Sequence, residues 1–117
     1  MDFTAEFYES ASGRSPVQEF FLELRASDRD DFAAVAYGLG KLRNRRYHRE
    51  PLTKALNNGL FELRHVGKLN TRIPWCFVKG RRIIAVHGIR NKGQTIPARD
   101  LDTARDRMHE WKKRNVL

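Results

Sequence analysis

Three short apolar runs in the second half of the chain place the strongest constraint on its fold. Residues 60–66, 73–77 and 83–86 are rich in branched and aromatic side chains, which are typical of β-strands. The connections at residues 67–70 and 79–80 are short and contain turn residues, so neighbouring runs are expected to pair as antiparallel hairpins. The pattern predicts a three-stranded meander. Its third strand is expected to lie inside the sheet, because it is apolar at every position.

Alternation along these strands separates polar from apolar side chains. Arg64 is offset by one residue from Leu63, and Arg72 is offset by one residue from Ile73. Each arginine is therefore expected on the face opposite its apolar neighbour. If the apolar side chains face the core, the two arginines share an open face of the sheet. Pro74 lacks a backbone donor, which favours a bulge or an edge position for this part of the strand.

The first half of the chain contains signals for one strand and two helices. Residues 3–8 alternate imperfectly between apolar and polar side chains and predict a strand. Ser15 is placed to begin a helix, with Gln18 able to complete a capping box. Ser27 or Asp28 is expected to cap a second helix, whose acidic first turn suits the positive end of the helix dipole.

Helical spacing returns near the C-terminus. Apolar residues recur along residues 97–111 and predict a final helix, with Pro97 in its first turn. Residues 47–59 are expected to form a loop.

The predicted fold class is α+β: an N-terminal strand, a two-helix hairpin, a three-stranded antiparallel meander completing one sheet, and a C-terminal helix. At 117 residues, the chain is expected to form a single domain spanning residues 1–117.

The charge balance narrows the class of partner. Lys and Arg number 23 against 14 Asp and Glu, which gives a net charge of +9. Such an excess attracts polyanions, although a merely soluble basic protein would have the same composition.

The single cysteine, Cys76, excludes an internal disulfide and is expected to be a buried thiol. With no signal peptide or apolar run of membrane-spanning length, the sequence predicts a cytoplasmic protein that does not enter a membrane.

Basic residues collect just after the second predicted helix. Arg43, Arg45 and Arg46 follow Lys41 closely in sequence. Cations near a helix C-terminus can compensate the dipole, and the same cluster can face phosphate. The sequence leaves both interpretations open.

Motifs in the meander carry a resemblance to a known family. They are GLFELR at 59–64, Thr-Arg at 71–72, GRRII at 80–84, His-Gly-Ile at 87–89, and the later Lys92 and Pro97. With the predicted order of elements, they resemble the RelE/ParE superfamily of toxins from type II toxin-antitoxin systems. The similarity is greatest to the HigB or phage Gp49-like branch. The resemblance implies a RelE-like fold and covers about a third of the chain by motif.

The resemblance also implies an activity. Toxins of this kind are mRNA endonucleases that act on the ribosome and inhibit translation until a cognate antitoxin silences them. The expected reaction is attack of a ribose 2'-hydroxyl on the adjacent phosphate, without a metal or a cofactor. It needs a base, an acid and cations for the crowded phosphate. The expected partners are an antitoxin with a helix-turn-helix DNA-binding domain and mRNA on the ribosome.

Matching the motifs gives candidate site residues. Arg72 is expected to stabilise the phosphate with Arg64 as positioner, because guanidinium keeps its charge and grips phosphate bidentately. Lys92 suits charge stabilisation or proton donation. His87 is either an acid or base, or a buried hydrogen-bonded histidine. The predicted RNA-binding residues are Arg43, Arg45, Arg46, Lys68, Arg90 and Gln94.

The chain departs from the family pattern in its last loop. Related loops have Lys-Lys followed by Lys-Thr-Pro, whereas this chain has Asn91 before Lys92, and Thr95 and Ile96 before its proline. No tyrosine follows Tyr47, so the general base is left unassigned. Two alternative functions stay open: a ParE-like DNA gyrase inhibitor, and a non-catalytic basic module that binds nucleic acid or antitoxin.

Overall fold

The fold is mixed α+β, with one sheet between helices. A computed structural model describes residues 2–115, and within that range the chain forms three α-helices and six strands. In chain order they are β1 (Thr4–Phe7), α1 (Pro16–Ser27), α2 (Arg29–Lys41), β2 (Thr53–Ala55), β3 (Leu60–Val66), β4 (Asn70–Val78), β5 (Arg82–Ala85), β6 (Ile89–Asn91) and α3 (Ala98–Arg114). The expected fold class is confirmed at this level, while the element order gains two short strands.

The strand order in the sheet is β1-β5-β4-β3-β2, with β6 paired to the start of β4. β1 runs parallel to β5, and every other pairing is antiparallel. The predicted meander is therefore β3-β4-β5, and β5 lies inside the sheet. The expected loop over residues 47–59 instead contains β2, and the basic loop after the meander begins with β6. Three-residue strands carry too little alternation to be recognised from sequence.

Pro74 lies in the interior of the sheet, so the expected edge position is wrong. It pairs with Glu62 on β3, and its carbonyl accepts a hydrogen bond from the Val86 amide at 2.9 Å. The strand beside it is interrupted between β5 and β6, at residues 86–88. The register leaves three residues, 86–88, opposite two, 73 and 74, and this one extra residue agrees with the other expected alternative, a bulge.

Helices cover both faces of the sheet. The hairpin of α1 and α2 packs on the face that carries Leu63, Ile73 and Trp75. Helix α3 packs on the other face, against Leu60, Cys76, Ile84 and neighbouring apolar residues. Cys76 is buried as expected, and burial raises the pKa of its thiol to about 11. Among the described residues, no helix has both the length and the apolarity needed to cross a membrane.

The two hairpin helices begin differently from one another. The Ser15 hydroxyl donates to the Tyr8 carbonyl at 3.3 Å and makes no hydrogen bond to its own helix, so the expected capping box is absent from the described structure. Asp28 is the cap of α2, since its carboxylate accepts from the Asp31 amide at 3.0 Å. The acidic start of α2 lies beside the end of β3, where His65 Nε2 is 3.0 Å from Asp31 Oδ1.

Gly88 marks a close approach between the break in β5-β6 and helix α1. A Cβ atom at this position would lie 2.5 Å from Cδ2 and 2.6 Å from Cγ of the Phe20 ring. We expect Gly88→Ala to lower the free energy of unfolding by about 1–3 kcal/mol, because a packed ring must move. Urea denaturation measures this loss.

Gly40→Ala is the matched control for that substitution. An added Cβ at Gly40, in α2, has no neighbouring atom within 4 Å. Because alanine is the better helix former, the control is expected to gain up to about 1 kcal/mol. Equal unfolding free energies for the two variants would show that the Phe20 ring moves aside with little loss of stability.

Candidate functional site

Arg64 and Arg72 lie directly opposite one another on β3 and β4, at the end of the sheet nearest β6. They line a small cleft of about 120 Å³ whose wall is formed by Arg64, His65, Val66, Asn70, Thr71, Arg72 and Gln94. Three of the residues singled out in the sequence, Arg64, Arg72 and Gln94, are therefore brought together. The two arginines share one face, as alternation predicts.

That shared face is not open at Arg72, and this part of the expectation is wrong. The Arg72 side chain is only 3% exposed, and its Nε lies 3.3 Å from Oε2 of Glu62, which is equally buried. The face is the one on which α3 packs, and the chain after β6 folds over the arginine. Arg64 is half-buried and keeps access to the cleft.

The outer nitrogens of Arg72 hold the segment that carries Lys92. One Nη donates to Asn91 Oδ1 at 3.4 Å, and the other donates to the Gly93 carbonyl at 3.0 Å. Asn70 Nδ2 donates to the same carbonyl at 2.9 Å. Lys92 lies between these two anchored residues and is exposed. The buried arginine thus contacts the Asn91 side chain and the Gly93 backbone, on either side of an exposed lysine.

Glu62 is the charged residue of this site that sequence reasoning did not select. Burial raises the pKa of its carboxyl, against the opposing effect of the nearby charges of Arg72, Arg64 and Lys54. Within the described residues its Oε2 accepts no well-aligned hydrogen bond. Its position in the GLFELR motif was the available signal. That signal does not reveal burial, because burial depends on how the chain after β6 packs over Arg72.

His87 is engaged with α3 rather than with the cleft. Arg107 donates to His87 Nδ1 at 3.0 Å, and Asp100 Oδ1 lies 2.8 Å from His87 Nε2. A guanidinium can only donate, so Nδ1 must be the acceptor, and Nε2 carries the proton that Asp100 accepts. Of the two sequence interpretations, the hydrogen-bonded structural histidine is the one that these contacts favour.

Arg90, expected to bind RNA, has carboxylate partners in α2. It donates to Asp28 Oδ2 and to Asp31 Oδ2, each at 2.9 Å. His65 Nε2 lies 3.0 Å from the other oxygen of Asp31. The bond from Arg90, followed by that from His65, holds the pKa of Asp31 below its usual range. Arg90 therefore ties β6 to the start of α2.

The remaining predicted RNA-binding residues separate into two places. Lys68 is exposed in the turn between β3 and β4, beside the cleft. Arg43, Arg45 and Arg46 are exposed beyond the C-terminal end of α2, where a short 3-10 turn spans Arg45–Tyr47. Arg43 is 3.5 Å from the Asp2 carboxylate. These three arginines belong to a second basic surface.

The fold and the site together define a small basic α+β protein. One end of its sheet contains the accessible Arg64, the buried ion pair of Arg72 and Glu62, and the exposed Lys92. The family model described as phage derived protein Gp49-like (DUF891) matches residues 19–109. The chain therefore belongs to the Gp49-like family, which lies within the RelE/ParE-like toxin superfamily. The family is one of toxins from toxin-antitoxin systems and implies an antitoxin partner. A comparison with curated proteins found no match.

Proposed function

We propose that the chain is a HigB-type toxin that cleaves mRNA on the ribosome and so inhibits translation. The observation that carries this proposal is the anchored segment at residues 91–93. The buried Arg72 contacts Asn91 and Gly93 on either side of the exposed Lys92, and the same arginine lines a cleft that also presents Arg64. Preorganised cations of this kind stabilise the negative charge that develops on a phosphate during cleavage.

The three cationic residues, Arg64, Arg72 and Lys92, have different roles in the proposed reaction. In the reaction, the ribose 2'-hydroxyl gives its proton to solvent water, its oxygen bonds to phosphorus, the bond to the 5'-oxygen breaks, and a 2',3'-cyclic phosphate remains. Arg64 and Lys92 contact the phosphate, and Lys92 also gives the leaving 5'-oxygen its proton. Arg72 positions residues 91–93 and does not touch substrate, because it is buried in the pair with Glu62. Gln94 and Lys68 bind the flanking RNA. No metal takes part.

The antitoxin partner is proposed to carry a helix-turn-helix domain and to be encoded beside this gene. Its toxin-binding part is expected to be acidic, because the toxin has a net charge of +9. Binding over the cleft would block access of RNA to Arg64 and Lys92. Co-expression is therefore expected to restore growth to cells that produce the toxin.

The test is induction in bacterial cells of the native chain beside an Arg64→Ala/Lys92→Ala variant. Native chain is expected to arrest growth and to generate new 5' ends inside translated messages, and the variant is expected to do neither. Arg29→Ala/Lys113→Ala is the matched control, since it removes the same charge from exposed positions in α2 and α3. It should remain toxic.

Other outcomes would overturn the proposal. Arrest without new message ends, together with accumulated gyrase-linked DNA breaks, would assign the chain to gyrase inhibition. Absence of arrest with retained antitoxin binding would indicate a non-catalytic module. Circular dichroism of each purified variant establishes that it has folded.

A further inference from the structure

A second basic surface lies away from the cleft and has an aromatic floor. A cavity of about 560 Å³ is lined by Phe3, Arg45, Arg46, His48, Arg49 and Phe77, and we name it the arginine-aromatic pocket. Its arginines and His48 come from the segment after α2, and its two phenylalanines come from the residue before β1 and from the end of β4. The function proposed above makes no use of it.

The aromatic floor is held in place by contacts beneath it. His48 lies 4.8 Å from Phe3 and 5.1 Å from Phe77 between ring centroids, both edge to face. Its Nε2 is 2.6 Å from the Leu42 carbonyl oxygen, and the Phe3 amide donates to the Arg43 carbonyl at 2.7 Å. The rings of the two phenylalanines are partly exposed. The pocket therefore offers fixed, accessible aromatic edges and faces.

Positive charge surrounds this floor. All three arginines of the pocket, Arg45, Arg46 and Arg49, are exposed. Within residues 2–115 none of them forms an ion pair, not even with the neighbouring Glu50. The Arg81 guanidinium lies 5.9 Å from the centre of the Phe3 ring and adds to the rim. A multiply charged anion is the ligand that such a rim attracts.

The arginine-aromatic pocket is separate from the cleft. Phe77 lies five residues beyond Arg72 on β4, which places the two about 17 Å apart along the strand. They also point to opposite faces, because an odd number of steps separates them. A ligand in the pocket therefore cannot be the phosphate at Lys92.

We propose that the arginine-aromatic pocket binds single-stranded RNA, with a base stacked on Phe3 or Phe77 and phosphates on Arg45, Arg46 and Arg49. Arginines interleaved with aromatic rings are how proteins hold unpaired nucleic acid, because each nucleotide offers both a charged and a π surface. An acidic peptide would use the charges and leave the rings without a role. The inference rests on the proposed function in one respect: this pocket is a second anchor for the RNA that the cleft cuts.

Binding is measured without cleavage, so the two proposals fail separately. The probe is a fluorescein-labelled 12-nucleotide 2'-O-methyl RNA, which has no 2'-hydroxyl to attack its phosphates. Arg45→Ala/Arg46→Ala/Arg49→Ala is compared with Arg25→Ala/Arg29→Ala/Arg99→Ala, which removes equal charge from exposed positions elsewhere. Loss of three phosphate contacts should lower the slope of log affinity against log salt by about 2 and weaken binding about 100-fold at 0.1 M salt.

A second variant tests the rings. Phe3→Leu keeps an apolar side chain, and loss of stacking is expected to weaken binding of the 12-mer about tenfold, with an abasic 12-mer unaffected. The proposal is overturned if both triple variants bind alike. It is also overturned if a 12-residue polyglutamate peptide competes equally well and Phe3→Leu changes nothing, because the pocket would then recognise charge alone. Either result leaves the mapping of message ends unaffected.

Discussion

Arg72→Ala is expected to lower the free energy of unfolding by about 3–5 kcal/mol at pH 8, because it leaves a buried carboxylate without its partner. Both Arg72 and Glu62 are 3% exposed, so water cannot replace the lost guanidinium without disturbing the sheet. The substitution also removes the donors to Asn91 and Gly93, which frees the segment that carries Lys92. Urea denaturation followed by circular dichroism measures the loss.

The size of that loss depends on pH in a known direction. Burial raises the pKa of Glu62 in the folded protein even with Arg72 present. An acid whose pKa is raised on folding favours the folded state most below its unfolded pKa, and this contribution is lost as pH rises through the folded value. Removing Arg72 raises that pKa further. The difference between native chain and variant should therefore be smaller at pH 4, below the ordinary pKa of a glutamate, and should grow toward pH 8.

A double variant isolates the ion pair from simple loss of packing. Glu62→Leu/Arg72→Met replaces both charges with apolar groups and should recover at least about 2 kcal/mol of what Arg72→Ala loses. Its unfolding free energy should also lose the pH dependence attributed to Glu62. If the unfolding free energy of Arg72→Ala lies within about 0.5 kcal/mol of that of the native chain at pH 8, the pair does not stabilise the fold.

The strands and their faces could be predicted from the sequence because they follow from local alternation. Runs of apolar residues located β3, β4 and β5, and the one-residue offsets placed Arg64 and Arg72 on one face. To predict these features, one needs only the two-residue period of a strand and the positions of the turns between strands. The helix hairpin followed in the same way from its apolar spacing.

Burial of the site could not be predicted, because it depends on contacts between distant segments. Arg72 is covered by residues about twenty positions later, and alternation carries no information about that covering. Arg90 shows the same limit, since its partner Asp31 lies 59 residues earlier. A basic residue in a basic loop resembles an RNA ligand until its carboxylate partners are known. Contacts between residues that are distant in sequence therefore changed the roles expected for Arg72 and Arg90.

Lys92→Ala is expected to lower the rate of RNA cleavage by about 100- to 1,000-fold, the usual effect of removing one preorganised donor from a developing charge. Lys92 is exposed, while Asn91 and Gly93 beside it are anchored to Arg72. Its ammonium is therefore expected to reach a phosphate without first ordering the backbone. Single-turnover cleavage of message bound to programmed ribosomes, at saturating toxin, measures the chemical step apart from RNA binding.

Lys68→Ala is the matched control for this prediction, since Lys68 is also an exposed lysine and lies in the turn between β3 and β4. It is expected to weaken RNA binding through the loss of one phosphate contact and to leave the saturated rate within about threefold of native. Lys92→Arg keeps the charge but is a poorer proton donor, because guanidinium holds its proton more tightly. A partial recovery with Lys92→Arg would assign Lys92 to charge stabilisation, and no recovery would assign it to proton transfer. Equal saturated rates for Lys92→Ala and Lys68→Ala would remove Lys92 from the chemistry altogether.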